Sequence, residues 1–249
     1  MVNILNSASK LTLLTANVNG FSNDYKRREF YTHIDSSRAD IICLTDTRFD
    51  SNIHKQIENE SNKYCYFNSY RSNARGVAIL VNKSCPIKIL STENDASGNF
   101  LFLKCEYEEN SLLICVIYGP NEDSPEFFDQ IFEYYEHSNI TDCIITGDFN
   151  TTIDHQLDNH RYAQPRNIRA RNCLNKWIND LGFIDAYRYL HSDKKMFTWT
   201  NKSRPQRARL DMFLTIESLR PYITSFTKKS AFRSDHSLTN YTNYRLLTV

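Results

Sequence analysis

Residues 142–150 read Asp-Cys-Ile-Ile-Thr-Gly-Asp-Phe-Asn, an apolar run that ends in two close-set polar groups. Cys143, Ile144 and Ile145 form a short continuous apolar stretch bounded by Gly147, the pattern of a strand covered on both faces. Gly147 permits a sharp exit. Asp148 and Asn150 are alternate residues and project to one side of an extended chain. A carboxylate there can bind a hard cation or take a proton from water, whereas an amide can only orient. A lone G-D-x-N is equally well a strand followed by an Asx-turn. Its reading therefore depends on whether other strands end in the same way.

Several do. Leu11 to Gly20 reads as a strand that stops at a glycine turn with Asn17 and Asn19 on one side of its exit. Asp40 to Leu44 is a short apolar run that delivers Thr45, Asp46, Thr47 and Arg48. Strands are expected at 64–70, 75–81, 100–107 and 111–118, the last two joined by a turn at Glu108 to Asn110 and the last ending at Tyr118-Gly-Pro. Residues 196–200 and 208–214 look like two strands joined by a basic turn, and Ser234-Asp235-His236-Ser237 precedes an alternating run to Val249.

Three segments carry helical spacing. Asp24 to Ser36 has Phe30 and Ile34 four apart among solvated charges. A second starts at Ser124 as N-cap with Pro125 at the first position, and Phe127, Phe128, Ile131, Phe132 and Tyr135 form its core stripe. The third runs from Ile168 to Leu181 and closes at Gly182, with Leu174, Trp177, Ile178 and Leu181 inward. Residues 52–62 are a polar helix or loop, and 151–167 have no clear period.

At 249 residues and 41% hydrophobic, the chain suits one large layered domain. Thirty basic against 29 acidic residues leave a formal charge of +1, so any nucleic-acid surface has to be a local patch rather than a global field. The seven cysteines are odd in number, lack a C-x-x-C pair and fall mostly in apolar runs, which points to reduced thiols and an intracellular location. No stretch approaches 18 apolar residues, so neither a membrane span nor a secretion signal is expected.

N-V-N-G at 17–20, L-T-D-T-R at 44–48, Y-G-P at 118–120, G-D-F-N at 147–150, R-L-D at 209–211 and S-D-H at 234–236 occur in that order. This series resembles the endonuclease/exonuclease/phosphatase superfamily over Leu11 to about Leu246. Within it the chain is most similar to the apurinic-endonuclease-like domain of non-LTR (LINE-type) retrotransposons. That similarity rests on N-V-N-G, on the R-x-x-x-x-L-x-x-W-x-x-x-x-G-F-x-D-A-Y-R pattern from Arg169 to Arg188, and on F-T-W-T leading through a basic turn into R-L-D. The resemblance implies a four-layered α/β sandwich, DNase I-like, with two mainly antiparallel sheets flanked by helices. It also implies a single endonuclease domain over 1–249, monomeric when isolated, excised from a polyprotein whose later part is a reverse transcriptase.

The implied activity is Mg²⁺-dependent nicking of double-stranded DNA in the nucleus, with Mn²⁺ as a substitute, to leave a 3′-hydroxyl that primes reverse transcription. Asp46 would hold the metal with Asn17 beside it. Asp148 would orient or deprotonate the attacking water, with Asn150 holding the geometry. His236 would meet the phosphate, Asp211 would fix its tautomer, Tyr118 would donate to a phosphate oxygen, and Asp235 would support metal or water. Thr198, Lys202, Arg204, Arg207 and Arg209 would contact DNA. Where the family usually has Glu, this chain has Asp46, one methylene shorter, and Mg²⁺ requires oxygen ligands at ~2.0–2.1 Å. Two alternatives stand beside this reading: another member of the superfamily, a repair endonuclease or phosphatase, and a DNA-binding module weak in catalysis because of Asp46.

Overall fold

The computed structural model describes residues 9–161, 167–230 and 232–245. The end of the alternating run, residues 246–249, and part of the segment before Asn167 lie outside them. In chain order the elements are β1 (Ser9–Asn17), α1 (Asp24–Asp35), β2 (Ile41–Thr45), α2 (His54–Ser61), β3 (Lys63–Asn68), β4 (Val77–Asn82), β5 (Ile87–Asn94), β6 (Phe100–Tyr107) and β7 (Asn110–Tyr118). They continue with α3 (Pro125–His137), β8 (Asp142–Asp148), β9 (Asn159–His160), α4 (Ile168–Asp180), β10 (Phe183–Asp185), α5 (Ala186–Leu190), β11 (Trp199–Thr200), β12 (Arg207–Ala208), β13 (Asp211–Ile216), β14 (Ile223–Lys229) and β15 (Leu238–Arg245).

Two six-stranded sheets result, ordered β14-β15-β1-β2-β4-β3 and β10-β13-β8-β7-β6-β5, and a small third sheet is β11-β12-β9. Each large sheet contains one parallel pair, β1/β2 in the first and β7/β8 in the second, and is otherwise antiparallel. The expected α/β sandwich with mainly antiparallel sheets is therefore present. The period-two alternation of side chains explains its layering. Leu13, Ile41, Cys43, Val77 and Ile79 belong to the large core that also takes in the second sheet. Their neighbours Leu14, Ala16, Ile42, Leu44, Ala78 and Leu80 face the other way, into a smaller core under Phe30 and Ile34 of α1 and Ile57 of α2. On the second sheet, α3 and α4 complete the outer layer: Phe128 meets Trp177 edge-on at 6.0 Å between centroids and stacks on Phe149 at 6.3 Å.

Two glycines bring β7 and β8 close at their exits. Gly147 has φ +131°, and a Cβ there would lie 2.1 Å from the Ile117 carbonyl oxygen. A Cβ on Gly119 would lie 2.3 Å from that of Phe149. Only glycine permits this approach.

Some expectations need correction. Arg27 on α1 is not solvated: it is fully buried, donates through Nε and Nη2 to Glu60 at 2.6 and 3.0 Å, and reaches the carbonyls of Phe21 and Ser22. Ser124 makes no side-chain cap to the backbone, although Pro125 does open α3. The edge strands β5 and β14 carry no marked apolar pattern and were not anticipated. Of residues 196–200, only Trp199 and Thr200 pair as strand.

The largest buried ionic group lies beside the second sheet. Arg209 is fully buried and donates to both oxygens of Asp158 at 2.7 and 2.9 Å and to both of Asp185 at 3.1 and 2.5 Å. Arg188 also bonds Asp158, while Asp185 caps α5 by accepting from the Tyr187 and Arg188 backbone N–H groups. Two carboxylates share one buried guanidinium, so removing it leaves Asp185 buried with only backbone donors and Asp158 with Arg188 as its remaining cation. Arg209→Ala is expected to lower unfolding stability by about 3–5 kcal/mol in urea titration. A loss under about 1 kcal/mol would show that water replaces the guanidinium.

Candidate active site

The site is assembled by register. Tyr118, Asp148 and Asp211 sit side by side across β7, β8 and β13, each at the terminus of its strand. Asn17 ends β1 opposite Thr45 at the end of β2, and Asp46 follows. The two rows face each other across the sandwich and are joined by a hydrogen bond from Asn17 Nδ2 to Asp148 Oδ2 at 2.7 Å. Both partners are buried, Asn17 to 5% and Asp148 to 1% exposure.

His236 completes the group from the loop before β15. Its Nδ1 lies 2.8 Å from Asp211 Oδ2 and its Nε2 lies 3.6 Å from Asp148 Oδ2. Ser234 holds this loop: its hydroxyl donates to the Asn17 carbonyl at 2.9 Å and accepts from the His236 N–H at 3.1 Å. Thr198 acts similarly on Asp211, its hydroxyl accepting from the N–H groups of Leu210 and Asp211 at 3.0 Å each. Asp211 Oδ1 is left buried without a partner among the described residues, and such an oxygen calls for a water, a proton or an ion.

These contacts set the protonation states. Burial raises the Asp148 carboxyl to about 6, against the lowering effect of His236. It remains an anion at neutral pH. For His236, burial works to lower the value, but Asp211 and then Asp148 outweigh it and push the imidazole up to about 10. The site thus pairs a proton acceptor with an imidazolium. Burial also raises the Tyr118 hydroxyl, so it stays protonated and can donate.

Asn17, Asp46, Tyr118, Asp148, Asn150, Asp235 and His236 line one cavity of about 210 Å³, with Arg48, Trp199 and Leu210 among its other walls. The expected catalytic and metal residues therefore share this cleft, except Asp211, which stands behind His236. Their contacts refine the expectation. Asn17 serves Asp148, its Oδ1 accepting from the Asn19 N–H at 3.0 Å. Asn150 has φ +49° and turns its amide to the Gly119 carbonyl at 2.7 Å, while its N–H bonds Asp148 Oδ1 at 2.9 Å. The Asx-turn and the site residue are thus the same feature. Asp235 is half-buried and accepts from the Trp199 indole at 2.8 Å.

Two of the five residues expected to bind DNA are corrected. Arg209 and Thr198 are buried at 0% and 1% exposure and bound to internal partners, so neither reaches a ligand. Lys202, Arg204 and Arg207 are exposed on the β11–β12 hairpin. That hairpin is stitched to the His236 loop by Thr200 N–H to the Asp235 carbonyl at 3.0 Å and Ser237 N–H to the Thr198 carbonyl at 2.6 Å. Arg48 and Trp199 were missed as cleft residues. A larger groove of about 570 Å³ continues the cleft past Arg48 and Tyr118 toward Arg75 and Asn99.

Comparison with known proteins agrees with this geometry. The endonuclease/exonuclease/phosphatase family model matches residues 14–236. The chain belongs to that family. It is accordingly a phosphoester hydrolase of the nuclease type, and the family depends on divalent metal. An exodeoxyribonuclease of Bacillus subtilis (strain 168) is 22% identical over 254 residues, covering 91% of this chain and 96% of that one. Among solved structures, an AP endonuclease from Leishmania major superposes with a TM-score of 0.79 at 15% identity, covering 95% of this chain and 88% of that one. A 3′ phosphatase from Neisseria bound to product DNA hairpin gives 0.76 at 15% identity, covering 95% and 100%.

The donor set fits a hard divalent cation. Asp46, Asp148 and Asp235 offer carboxylate oxygens to the one cleft, which suits Mg²⁺ or Mn²⁺. Asp148, Asp211 and His236 also bring ligand atoms within 4.8 Å of one another. A metal there would have to displace the proton that holds His236 cationic, so the Asp46 side is the better seat. Removing the Asp211 charge tests the electrostatics directly. In NMR titration the wild-type His236 imidazole is expected to stay protonated above pH 8, losing its proton and its stabilising contribution as pH rises through about 10. Asp211→Asn should lower that midpoint by at least about one unit. An unchanged midpoint would show that Asp211 does not hold the proton.

Proposed function

We propose that the chain is a divalent-metal-dependent DNA endonuclease that nicks double-stranded DNA and leaves a 3′-hydroxyl. The observation that carries this reading is the run Asn17, Asp148, His236, Asp211, in which a buried carboxylate and a buried imidazolium are held side by side at the floor of a polar cleft. Asp148, fixed through both oxygens by Asn17 and the Asn150 N–H, takes a proton from the attacking water. His236, kept cationic by Asp211, donates to a non-bridging phosphate oxygen as negative charge builds there. Tyr118, in the same cleft, supplies a second donor. Asp46, with Asp235 across the cleft, would hold Mg²⁺ or Mn²⁺, and the bound ion would supply charge neutralisation at the phosphate and leaving oxygen.

The finer reading is a non-LTR retrotransposon endonuclease domain, acting as a monomer in the nucleus beside a reverse transcriptase of the same polyprotein that extends the nicked end. It is supported by the Arg169 to Arg188 pattern and by the exposed basic hairpin carrying Lys202, Arg204 and Arg207 next to the catalytic loop. These three side chains would meet phosphates of the duplex.

Nicking of supercoiled plasmid in Mg²⁺, abolished by EDTA, tests the activity. Asp148→Ala and His236→Ala should each lower the nicking rate by ~10²–10⁴ without loss of the folded state by circular dichroism. Wild-type rates in either would remove the mechanism. Asp46→Ala should lose metal-dependent cleavage, whereas Asp46→Glu should retain some or all of it.

Replacing Lys202, Arg204 and Arg207 together with alanine should weaken duplex binding and flatten the slope of log affinity against log salt by ~0.9 for each phosphate that is no longer neutralised. The cleavage ladder on a defined fragment should blur while the Mg²⁺ requirement stays. An unaltered slope and ladder would make the hairpin an ordinary solvent-exposed turn.

A further inference from the structure

Asp46 differs from the other carboxylates of the cleft in what it touches. Among the described residues, the two hydrogen bonds its side chain accepts both come from Arg48, Nε to Oδ1 at 2.9 Å and Nη2 to Oδ2 at 2.7 Å. Both oxygens are thereby engaged by one guanidinium in the bidentate arrangement that makes Arg–carboxylate pairs strong. Asp148 and Asp235 bond to neutral donors or lie beside His236 instead.

The two partners differ in freedom. The backbone of residues 46–48 is clamped on both sides: the Asp46 and Thr47 carbonyls accept from Gly20 and Phe21, while the Thr47 and Arg48 N–H groups donate to Gly76 and Arg75. Asp46 has φ +54° and Arg48 φ +50°, a left-handed turn that brings the two side chains together. The Asp46 side chain is 5% exposed, that of Arg48 39%. Asp46 and Arg48 both line the cleft and the larger groove, but the longer and more exposed arginine arm is the one with room to turn out into the groove, while the carboxylate stays with its clamped turn at the wall.

We infer that Arg48 is the resident counter-ion of Asp46 and has to swing off the carboxylate before Asp46 can accept a divalent cation. Arg48 therefore sets the metal concentration at which the cleft fills. The cavity walls carry Asp46, Asp148 and Asp235 against the cations Arg48 and His236. When Arg48 turns out into the groove, the excess negative charge left behind is what a divalent ion neutralises. This inference rests on the reading of the cleft as a metal site.

The test is titration of the full chain, without DNA, with Mn²⁺ followed by the electron paramagnetic resonance signal of the free ion. Arg48→Ala should bind Mn²⁺ about ten-fold or more tightly than wild type, because the competing charge-assisted bonds are gone. Arg48→Lys, which keeps the charge but not the fork, should fall between them, and Asp46→Asn should bind more weakly than wild type. Thermal melting shows that each variant is folded, and the lysine variant keeps the comparison decisive should alanine unfold the turn. Equal or weaker Mn²⁺ binding by both Arg48 variants, with EDTA-sensitive nicking intact in wild type, overturns the role of Arg48 alone. No Mn²⁺ binding by wild type or either Arg48 variant overturns both this inference and the metal-dependent reading.

Discussion

The hydrogen bond from Asn17 to Asp148 joins the last residue of a strand in one sheet to the last residue of a strand in the other. A sandwich of two sheets has no inherent reason to bring particular strand ends together, since its inner faces are held by non-directional apolar contact. This polar link is directional. Around it the geometry follows from register: Tyr118 and Asp211 flank Asp148 on its own sheet, and Ser234 ties the His236 loop to the Asn17 carbonyl. Moving β8 by one residue relative to β7 or β13 would turn the Asp148 carboxylate to the opposite face.

Placing two aspartates and a histidine out of water is costly unless each charge has a fixed partner. Here His236 stands between the two aspartates, and hydroxyls and N–H groups take up remaining acceptors. The same solution appears twice more where no chemistry is proposed, at Arg27 with Glu60 and at Arg209 with Asp158 and Asp185. Those groups hold helices and short strands against the sheets. What separates the Asp148–His236 pair from those two groups is access: it opens onto the cleft, and they do not line it.

What was legible in the sequence was whatever is local. The strand of 142–148, its glycine exit and the polar residues that follow lie within nine positions, and the other strand ends read the same way. What was not legible depended on distant partners. Arg209 sits in a basic run and reads as a surface cation, but its two aspartates lie 51 and 24 positions away. Thr198 looks like a strand residue facing a ligand, yet its hydroxyl is spent on the backbone before Asp211. Edge strands such as β5 face solvent on most positions and so lack the alternation that betrays a strand. Arg48 was visible beside Asp46 from the start, but nothing in L-T-D-T-R says that the turn folds one side chain onto the other.

The β11–β12 hairpin is anchored at its base and free at its tip. Trp199, Thr200 and Thr198 are bonded to the His236 loop, whereas Lys202 to Pro205 stand in solvent. Under the proposed function, contact with DNA and its cleavage would be separated along a single turn. The tip can be lengthened, shortened or recharged while the residues that fix Asp211 and His236 stay where they are. If the hairpin does guide the duplex as proposed, the segment would be a replaceable module for redirecting cleavage, with the graft boundary at Thr200 and Arg207.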